Sequence, residues 1–220
     1  MENSQSDNRN SVNNSNTIAA MQACVDHAHA LLESARAVQA AGHPNIAYHL
    51  AALTLEELGR RELIVVQKAS VTRPVPPAWI HKHIENHIQK LFWCFFGVAF
   101  SMEKLTKELL EAMQKLAQKI HATRLAGLYV DHAEDKLTIP AEAISIDEAQ
   151  SLIDLAAERF DVAISEKLRG HIPPDVLDLQ VWFLTATEDL EKRRMIMSGA
   201  SMTKLAELRD TQAWVRWLKA

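Results

Sequence analysis

Turn-forming residues are scarce in this chain, and this scarcity restricts its fold more than any other feature of the sequence. Only six glycines and seven prolines occur among 220 residues, too few for the tight turns of a β-sandwich or a β-barrel. Apolar side chains instead recur every three or four residues over long stretches, which indicates amphipathic helices. The sequence therefore predicts an all-α fold, a bundle of about six or seven helices without a convincing strand.

Helix breakers and capping residues divide the chain. The short break at Gly42 and Pro44 predicts that the first two helices are antiparallel neighbours. Ser145 followed by Glu148 has the spacing of a capping box and predicts a helix start, whereas Gly97 could introduce a kink. The predicted helices cover residues 17–41, 45–68, 79–100, 102–132, 146–169 and 175–197, followed after residues 198–200 by a short last helix ending in WVRWLKA.

The predicted domain organisation follows from composition. Residues 1–16 are rich in Asn and Ser and are expected to form a disordered N-terminal tail. Residues 17–220 are expected to form a single helical domain, of which 137–220 is the acidic C-terminal part. The net charge is −4, and no helix presents a basic recognition face, which excludes a broad electrostatic surface for long nucleic acids. Nine of the ten histidines precede residue 137.

Localisation and cofactors are predicted from what the sequence lacks. The N-terminus has no basic and apolar signal pattern. The most apolar run, residues 91–100, is about half of the ~20 residues that cross a bilayer. Cys24 and Cys94 show no metal-binding spacing. We therefore expect a cytoplasmic protein that needs no membrane, metal or cofactor.

The first candidate constellation lies in the segment YHLAALTLEELGRREL. Helical spacing places His49, Glu56 and Arg60 on one face, with Glu57 on the neighbouring stripe. Such a face could be catalytic, or it could be a solvated surface with an intrahelical Glu–Arg pair. Spacing alone does not separate these interpretations.

The second constellation lies in HKHIENHIQK, directly before the most apolar run. His83, His87 and Lys90 recur at helical spacing. A histidine here could act as a general acid or base, because its ordinary pKa is close to neutrality. It could equally be a structural histidine at a helix interface. An i, i+4 metal pair is disfavoured, because the sequence has neither HExxH nor paired ExxH motifs.

The third constellation is RLAGLYVDH. A continuous helix would place Arg124, Leu128 and Asp131 on one face, with Tyr129 beside it. The planar guanidinium of Arg124 could bind a phosphate through two parallel hydrogen bonds. An internal ion pair with Asp131 is the alternative.

The three segments together, LEELGR (55–60), HxxK (87–90) and RLAGLYVD (124–131), resemble the AbiV family of bacterial abortive-infection proteins, over residues 30–165. This family is grouped with the HEPN helical superfamily, many members of which are metal-independent RNases that act as homodimers. The resemblance implies one polar pocket lined by Glu56, Glu57, Arg60, His87, Lys90, Arg124, Tyr129 and Asp131. The chain departs from the family at Arg60, where lysine is commoner. It also departs from the superfamily's Rx4–6H spacing, because seven residues separate Arg124 from His132.

Two functions follow from this resemblance. The first is an antiphage endoribonuclease that cleaves RNA in infected cells as a homodimer, under the control of a phage protein that activates or inhibits it. Its expected catalytic residues are His87, Arg124, Lys90, Glu57, Asp131 and Tyr129, and its expected substrate-binding residues are Arg60, Glu56 and His83, with no metal. The second is a non-catalytic interaction protein that binds a phage or host protein through Trp214, Val215, Trp217 and Leu218, although these side chains could equally pack onto the bundle.

Overall fold

The computed structural model describes residues 3–71, 84–100, 106–133, 136–167, 179, 182–183, 186, 189–196, 198–208 and 210–220. Over this part the chain is helical apart from one short hairpin of strands. The helices are α1 (Asn3–Ala40), α2 (Pro44–Val71), α3 (His87–Phe100), α4 (Lys107–Ala126), α5 (Pro140–Ala143), α6 (Ile146–Lys167), α7 (Leu190–Ile196), α8 (Gly199–Leu208) and α9 (Thr211–Lys219). The strands are β1 (Asp131–Ala133) and β2 (Lys136–Thr138). The predicted helical fold class is confirmed.

The turn between α1 and α2 is built around Gly42. This residue has φ +84°, a left-handed conformation that glycine adopts without steric cost. The backbone N–H of His43 donates to the carbonyl of Val38, and that of Gly42 donates to the carbonyl of Gln39. This is the Schellman arrangement that ends a helix. It lets α1 and α2 pack against each other along the bundle.

The start of α1 differs from the sequence prediction. The helix begins at Asn3, so most of the segment expected to be a disordered tail, residues 1–16, continues the first helix instead of preceding it. Helix propagation adds one hydrogen bond for each residue that is ordered, which allows a helix to extend into residues of modest propensity.

Helix α3 is shorter than the helix predicted for residues 79–100. Asn86 is not helical, and its side-chain oxygen accepts a hydrogen bond from the backbone N–H of Gln89, so it caps α3. Residues 84–85 are helical but precede this cap, and the predicted start at 79 lies outside the described residues. The helix then continues through Gly97 to Phe100.

Helix α4 ends earlier than the predicted residue 132. Thr106 caps its start by accepting from the N–H of Leu109, and the helix stops at Ala126, before Gly127. A β-carbon at position 127 would lie 2.5 Å from Ile144, so the chain turns where another segment packs closely. It then forms the short antiparallel pair β1–β2, two strands of three residues each that the sequence pattern did not indicate.

The start of α6 confirms the predicted capping box. The backbone N–H of Ser145 donates to Glu148 Oε2 over 3.0 Å, and the backbone N–H of Glu148 donates to Ser145 Oγ over 3.2 Å. Both donors would otherwise lack an intrahelical partner. The chain between β2 and α6 contains the single turn α5.

Two apolar clusters form the described core. The first joins α1, α2, α3, α4 and α6, and its members include Leu32, Leu55, Leu91 and Ile153. The second lies on the other face of α3 and packs Trp93 and Phe96 against the C-terminal helices. Helices α2 and α3 therefore have both sides covered, which positions the polar side chains between them.

The C-terminal tryptophans divide between core and surface. Trp214, Val215 and Leu218 are buried in the second cluster, and the indole N–H of Trp214 donates to Ser201. Only Trp217, which is 44% exposed, is available to a partner. Three of the four side chains therefore pack onto the bundle, the alternative to a partner surface, because an amphipathic helix buries its apolar side on the nearest core.

Two further helix predictions differ in the C-terminal region. Within the helix predicted for 175–197, the described positions 179, 182–183 and 186 are helical, and α7 begins at Leu190 after Asp189, whose carboxylate accepts from the backbone N–H groups of Glu191 and Lys192. The short last helix is two helices, α8 and α9, because Asp210 accepts from the N–H of Ala213 and begins a new one. Among the described helices, none combines the length and apolar character needed to cross a membrane.

Candidate functional site

A close approach between two backbones positions the polar site. Gly59 of α2 faces the carbonyl of Lys90 in α3, so closely that a β-carbon on Gly59 would lie 1.7 Å from that oxygen. Only glycine permits this separation. As a result, the side chains one turn from Gly59 on α2 reach the first turn of α3.

Glu56 is the centre of the site. Its side chain is 2% exposed, and its two carboxylate oxygens are shared by three basic side chains. His87 Nδ1 lies 2.7 Å and Lys90 Nζ 3.1 Å from Oε2, and Arg124 Nη1 lies 2.5 Å from Oε1. These groups come from α3 and α4. A buried carboxylate requires such partners, because an unpaired buried charge is costly.

Two imidazole rings lie next to this carboxylate. The rings of His87 and His121 are stacked, with centroids 5.7 Å apart and an angle of 17° between the planes. Arg124 Nη2 lies 3.2 Å from His121 Nδ1. Arg124 thus bridges Glu56 and His121, while Glu56 bridges Arg124 and His87. The site is a continuous network across three helices.

A third histidine lies behind the network. Burial and the guanidinium of Arg124 lower the pKa of His49 below its ordinary value, and the nearby Glu56 only partly opposes this change. His49 Nδ1 and Arg124 Nε are both buried, and neither has a hydrogen-bond partner among the described residues. Burial, followed by the charges of Arg124 and His87, also lowers the pKa of His121.

Exposure changes steeply across the network. The side chains of Arg124 and Lys90 are 5% and 10% exposed, whereas that of His87 is 47% exposed. His121 is half-buried. The site therefore presents imidazoles to solvent and keeps its permanent charges beneath them. With both imidazoles neutral, one carboxylate and two cations leave one positive charge in excess.

The structure brings together four of the side chains predicted to line one pocket: Glu56, His87, Lys90 and Arg124. The alternative of an intrahelical Glu56–Arg60 pair is not what the structure shows, because Glu56 pairs with residues of α3 and α4 instead. Lys90 and Glu56 are the deepest members together with Arg124, and His87 is the most exposed.

Glu57, Arg60 and Tyr129 lie apart from this network. Glu57 faces α1, where His27 Nδ1 lies 3.8 Å from its carboxylate and where it accepts a hydrogen bond from Cys24. Arg60 is also close enough to influence the pKa of Cys24, which burial raises to about 11. Tyr129 is 63% exposed. The prediction of a single pocket is therefore wrong for Glu57, because consecutive residues of a helix point about 100° apart, and for Tyr129, because α4 ends at Ala126.

Two predicted residues have no described side chain. Asp131 lies in β1, and only its backbone belongs to the described part. Because α4 ends at Ala126, the premise that Arg124, Leu128 and Asp131 share a helix face is wrong. His83 lies outside the described residues.

Sequence reasoning missed His121 and did not include His49 among the site residues. Each was detectable in part. His121 precedes Arg124 by three residues and therefore lies on the same face of α4. His49 precedes Glu56 by two turns of α2. Among the described residues, no group of three His, Cys, Asp or Glu side chains could hold a metal ion.

The match of a HEPN family model, together with the helical fold, defines the chain as a HEPN-like helical protein. More particularly, it belongs to the AbiV family, because the HEPN family model described as AbiV matches residues 16–161. The match contains α2, α3, α4 and thus the whole network. No curated protein and no solved structure matches the chain. Membership of this family indicates a role in abortive-infection defence.

Proposed function

We propose that the protein is an endoribonuclease of abortive-infection defence and that His87 is its general base. The observation that carries this proposal is the pairing of a half-exposed imidazole with a buried carboxylate. His87 Nδ1 donates to Glu56, and the opposite ring nitrogen, Nε2, has no partner among the described residues. A carboxylate that accepts from one nitrogen leaves the other as the proton acceptor, as in the hydrolase triads.

The reaction is an internal attack of a ribose 2′-oxygen on the neighbouring phosphorus. His87 Nε2 takes the proton of the 2′-hydroxyl as the new O–P bond forms. The bond from phosphorus to the 5′-oxygen then breaks, and the leaving oxygen takes a proton from the imidazolium. The products are a 2′,3′-cyclic phosphate and a 5′-hydroxyl, and His87 returns to its neutral form.

Lys90 and Arg124 favour this reaction through their charge. Both are nearly buried, so their field acts through protein and is less screened than that of a surface cation. Their positive charges stabilise the negative charge that develops on the phosphoryl oxygens. Glu56 is a positioning residue in this scheme, since it orients His87 and both cations. No step uses a metal.

The test is cleavage of total cellular RNA and of a defined tRNA by the full-length protein in EDTA. Wild type is compared with His87→Ala and with His29→Ala, a matched control, because His29 also stacks on a ring, that of Phe160, but lies on α1. We expect His87→Ala to lose activity by about 10²-fold or more and His29→Ala to retain it, with cyclic phosphate ends on the products.

Two results would overturn the proposal. One is cleavage that survives His87→Ala at an unchanged rate. The other is a failure of the wild-type protein to cleave RNA both alone and in extracts of infected cells, which provide the expected phage activator. Thermal unfolding of both variants shows whether a loss of activity reflects a loss of folding. We also propose a homodimer, which light scattering tests.

The alternative function, binding of a phage or host protein without catalysis, has support from another surface. Large apolar side chains are exposed around the β1–β2 hairpin, namely Tyr129, Val130, Leu137 and Ile146, which are 63%, 69%, 56% and 65% exposed. Exposed apolar groups of this kind are typical of interaction sites. A Tyr129→Ser and Val130→Ser double variant that loses defence in cells while the His87→Ala variant keeps it would favour this function.

A further inference from the structure

Arg124 determines which nitrogen of His121 carries a proton. A guanidinium has five donors and no acceptor, so His121 Nδ1, 3.2 Å from Arg124 Nη2, is the acceptor of their hydrogen bond. A neutral imidazole has one donor and one acceptor nitrogen. The proton of His121 is therefore on Nε2, and no described residue accepts a hydrogen bond from it.

Glu56 determines the opposite arrangement in His87. Its carboxylate accepts from His87 Nδ1, which leaves the lone pair on Nε2. The two stacked rings therefore carry different groups on Nε2: an acceptor in His87 and a donor in His121. A substrate that offers both a hydroxyl and an anionic oxygen would match this pair.

The charged groups around His121 favour its neutral form. Arg124 lies on its own helix, His87 and Lys90 come from α3, and Glu56 and His49 come from α2. Burial and the charges of Arg124 and His87 lower the pKa of His121, while Glu56 raises it by less. Near neutral pH the His121 ring is thus uncharged. It donates a hydrogen bond through one nitrogen and does not add another cation to the site.

We infer that His121 is a substrate-binding residue whose Nε2–H donates a hydrogen bond to a non-bridging oxygen of the phosphate that lies beside His87. This inference rests on the proposed ribonuclease function and assigns the phosphate contact to an imidazole. Arg124 is too enclosed for that contact: its side chain is 5% exposed, Nη1 and Nη2 already donate to Glu56 and His121, and Nε is buried. Arg124 is instead a positioning residue for His121.

The first test is ¹⁵N NMR of the imidazole rings in the full-length protein near neutral pH. We expect His121 as the Nε2–H tautomer and His87 with its proton on Nδ1. An Arg124→Gln variant should redistribute the proton of His121, since the amide can turn to accept as well as donate. An Nδ1–H tautomer of His121 in the wild-type protein would overturn the inference.

The second test is binding of a short 2′-fluoro RNA, which has no nucleophilic hydroxyl. His121→Phe keeps a ring to stack on His87 but has no donor, whereas His121→Gln places an amide N–H near the position of Nε2. The control is His29→Phe, which changes a stacked histidine on α1. We expect about tenfold weaker binding for His121→Phe, because hydrogen bonds to charged groups contribute about that much, and near wild-type binding for His121→Gln and His29→Phe.

The outcomes separate this inference from the proposed function. Unchanged binding by His121→Phe, or no binding by wild type, overturns the role of His121, whether or not RNA is cleaved. Binding that depends on His121 without any RNA cleavage by wild type, with or without extract of infected cells, overturns the nuclease but supports the phosphate contact. Thermal unfolding of the His121→Phe protein shows whether the variant is still folded. Recovery of binding in the His121→Gln variant shows that the loss is due to the missing N–H donor.

Discussion

Gly59 and Lys90 form the closest contact between the two helices that build the site, since a β-carbon on Gly59 would lie 1.7 Å from the Lys90 carbonyl oxygen. This oxygen belongs to the backbone of α3 and cannot move by a change of rotamer. The contact places Glu56, three residues before Gly59, beside Lys90 and His87. The polar network therefore depends on a residue that has no side chain.

The first prediction concerns Gly59→Ala. We expect a loss of about 3 kcal/mol in the free energy of unfolding, because α2 and α3 must separate to accept the methyl group. The strain itself is larger than this loss, because the higher helix propensity of alanine contributes about 1 kcal/mol in the opposite direction. Urea unfolding measures the change. Gly199→Ala is the matched control, since its β-carbon would meet no atom within 4 Å, and we expect it to be neutral or slightly stabilising. Equal effects of the two variants would contradict the close approach.

The second prediction compares neighbouring glutamates. Glu56→Gln removes the negative charge between Arg124 and Lys90, which are nearly buried. We expect a loss of about 3–5 kcal/mol in the free energy of unfolding, because buried cations are left without their counter-charge. Glu57→Gln, on the side facing α1, should cost about 1 kcal/mol or less, because its nearest basic partner, His27, is 3.8 Å away and exposed. Comparable losses in urea unfolding would show that Glu56 is not the centre of the network.

The third prediction concerns pH. The pKa of His49 and that of His121 are lowered from the ordinary 6.5, so below about pH 6.5 the unfolded chain binds more protons than the folded one. Stability is then greatest above this pH and declines as the pH falls toward the lowered values. His49→Phe should reduce this decline, and it should be tolerated, since His49 Nδ1 has no hydrogen-bond partner in the described part of the chain. Urea unfolding from about pH 8 to about pH 5 measures the effect. A decline as steep in the variant as in wild type would refute this assignment to His49.

The fourth prediction concerns the capping box of α6. Ser145→Ala removes the hydroxyl that accepts from Glu148 N–H and donates to its carboxylate, and we expect a cost of about 1 kcal/mol. The backbone N–H and hydroxyl of Ser145 lower the pKa of Glu148, so the variant should raise that pKa toward its ordinary value, as measured by NMR titration. Ser151→Ala is the control, because Ser151 only donates to the carbonyl of Asp147 within the helix. A Glu148 pKa unchanged by Ser145→Ala would contradict the cap.

The predictable parts of the fold were those governed by neighbours in sequence. The helical class, the break at Gly42 and the box of Ser145 and Glu148 depend on spacing within a few residues. The end of α4 was less predictable, because Gly127 stops the helix where Ile144 packs against it. The start of α3 could have been recognised from Asn86, a good capping residue. The helical pattern of apolar residues begins before Asn86, however, and this led to a predicted start at residue 79.

The site was predictable as a set of segments but not as a geometry. Glu56, His87, Lys90 and Arg124 were all identified, whereas Glu57 was assigned to the same pocket although it faces Cys24 and His27. His121 was overlooked, although Arg124 follows it by three residues on the same helix face, because nothing in its own segment shows that a second imidazole lies against it. Its stacking on His87 is a contact between two helices.

Local sequence patterns are enough to establish that this chain is helical, where several of its helices begin, and that it carries the motifs of the AbiV family. These properties follow from local periodicity and from hydrogen bonds between near neighbours. The tertiary structure alone decided that Glu56 rather than Glu57 joins the basic side chains, and that His121 completes the network. Glu56 and Arg124 are 68 residues apart in sequence, and only the packing of α2 against α3 and α4 brings such distant charges into one low-dielectric site.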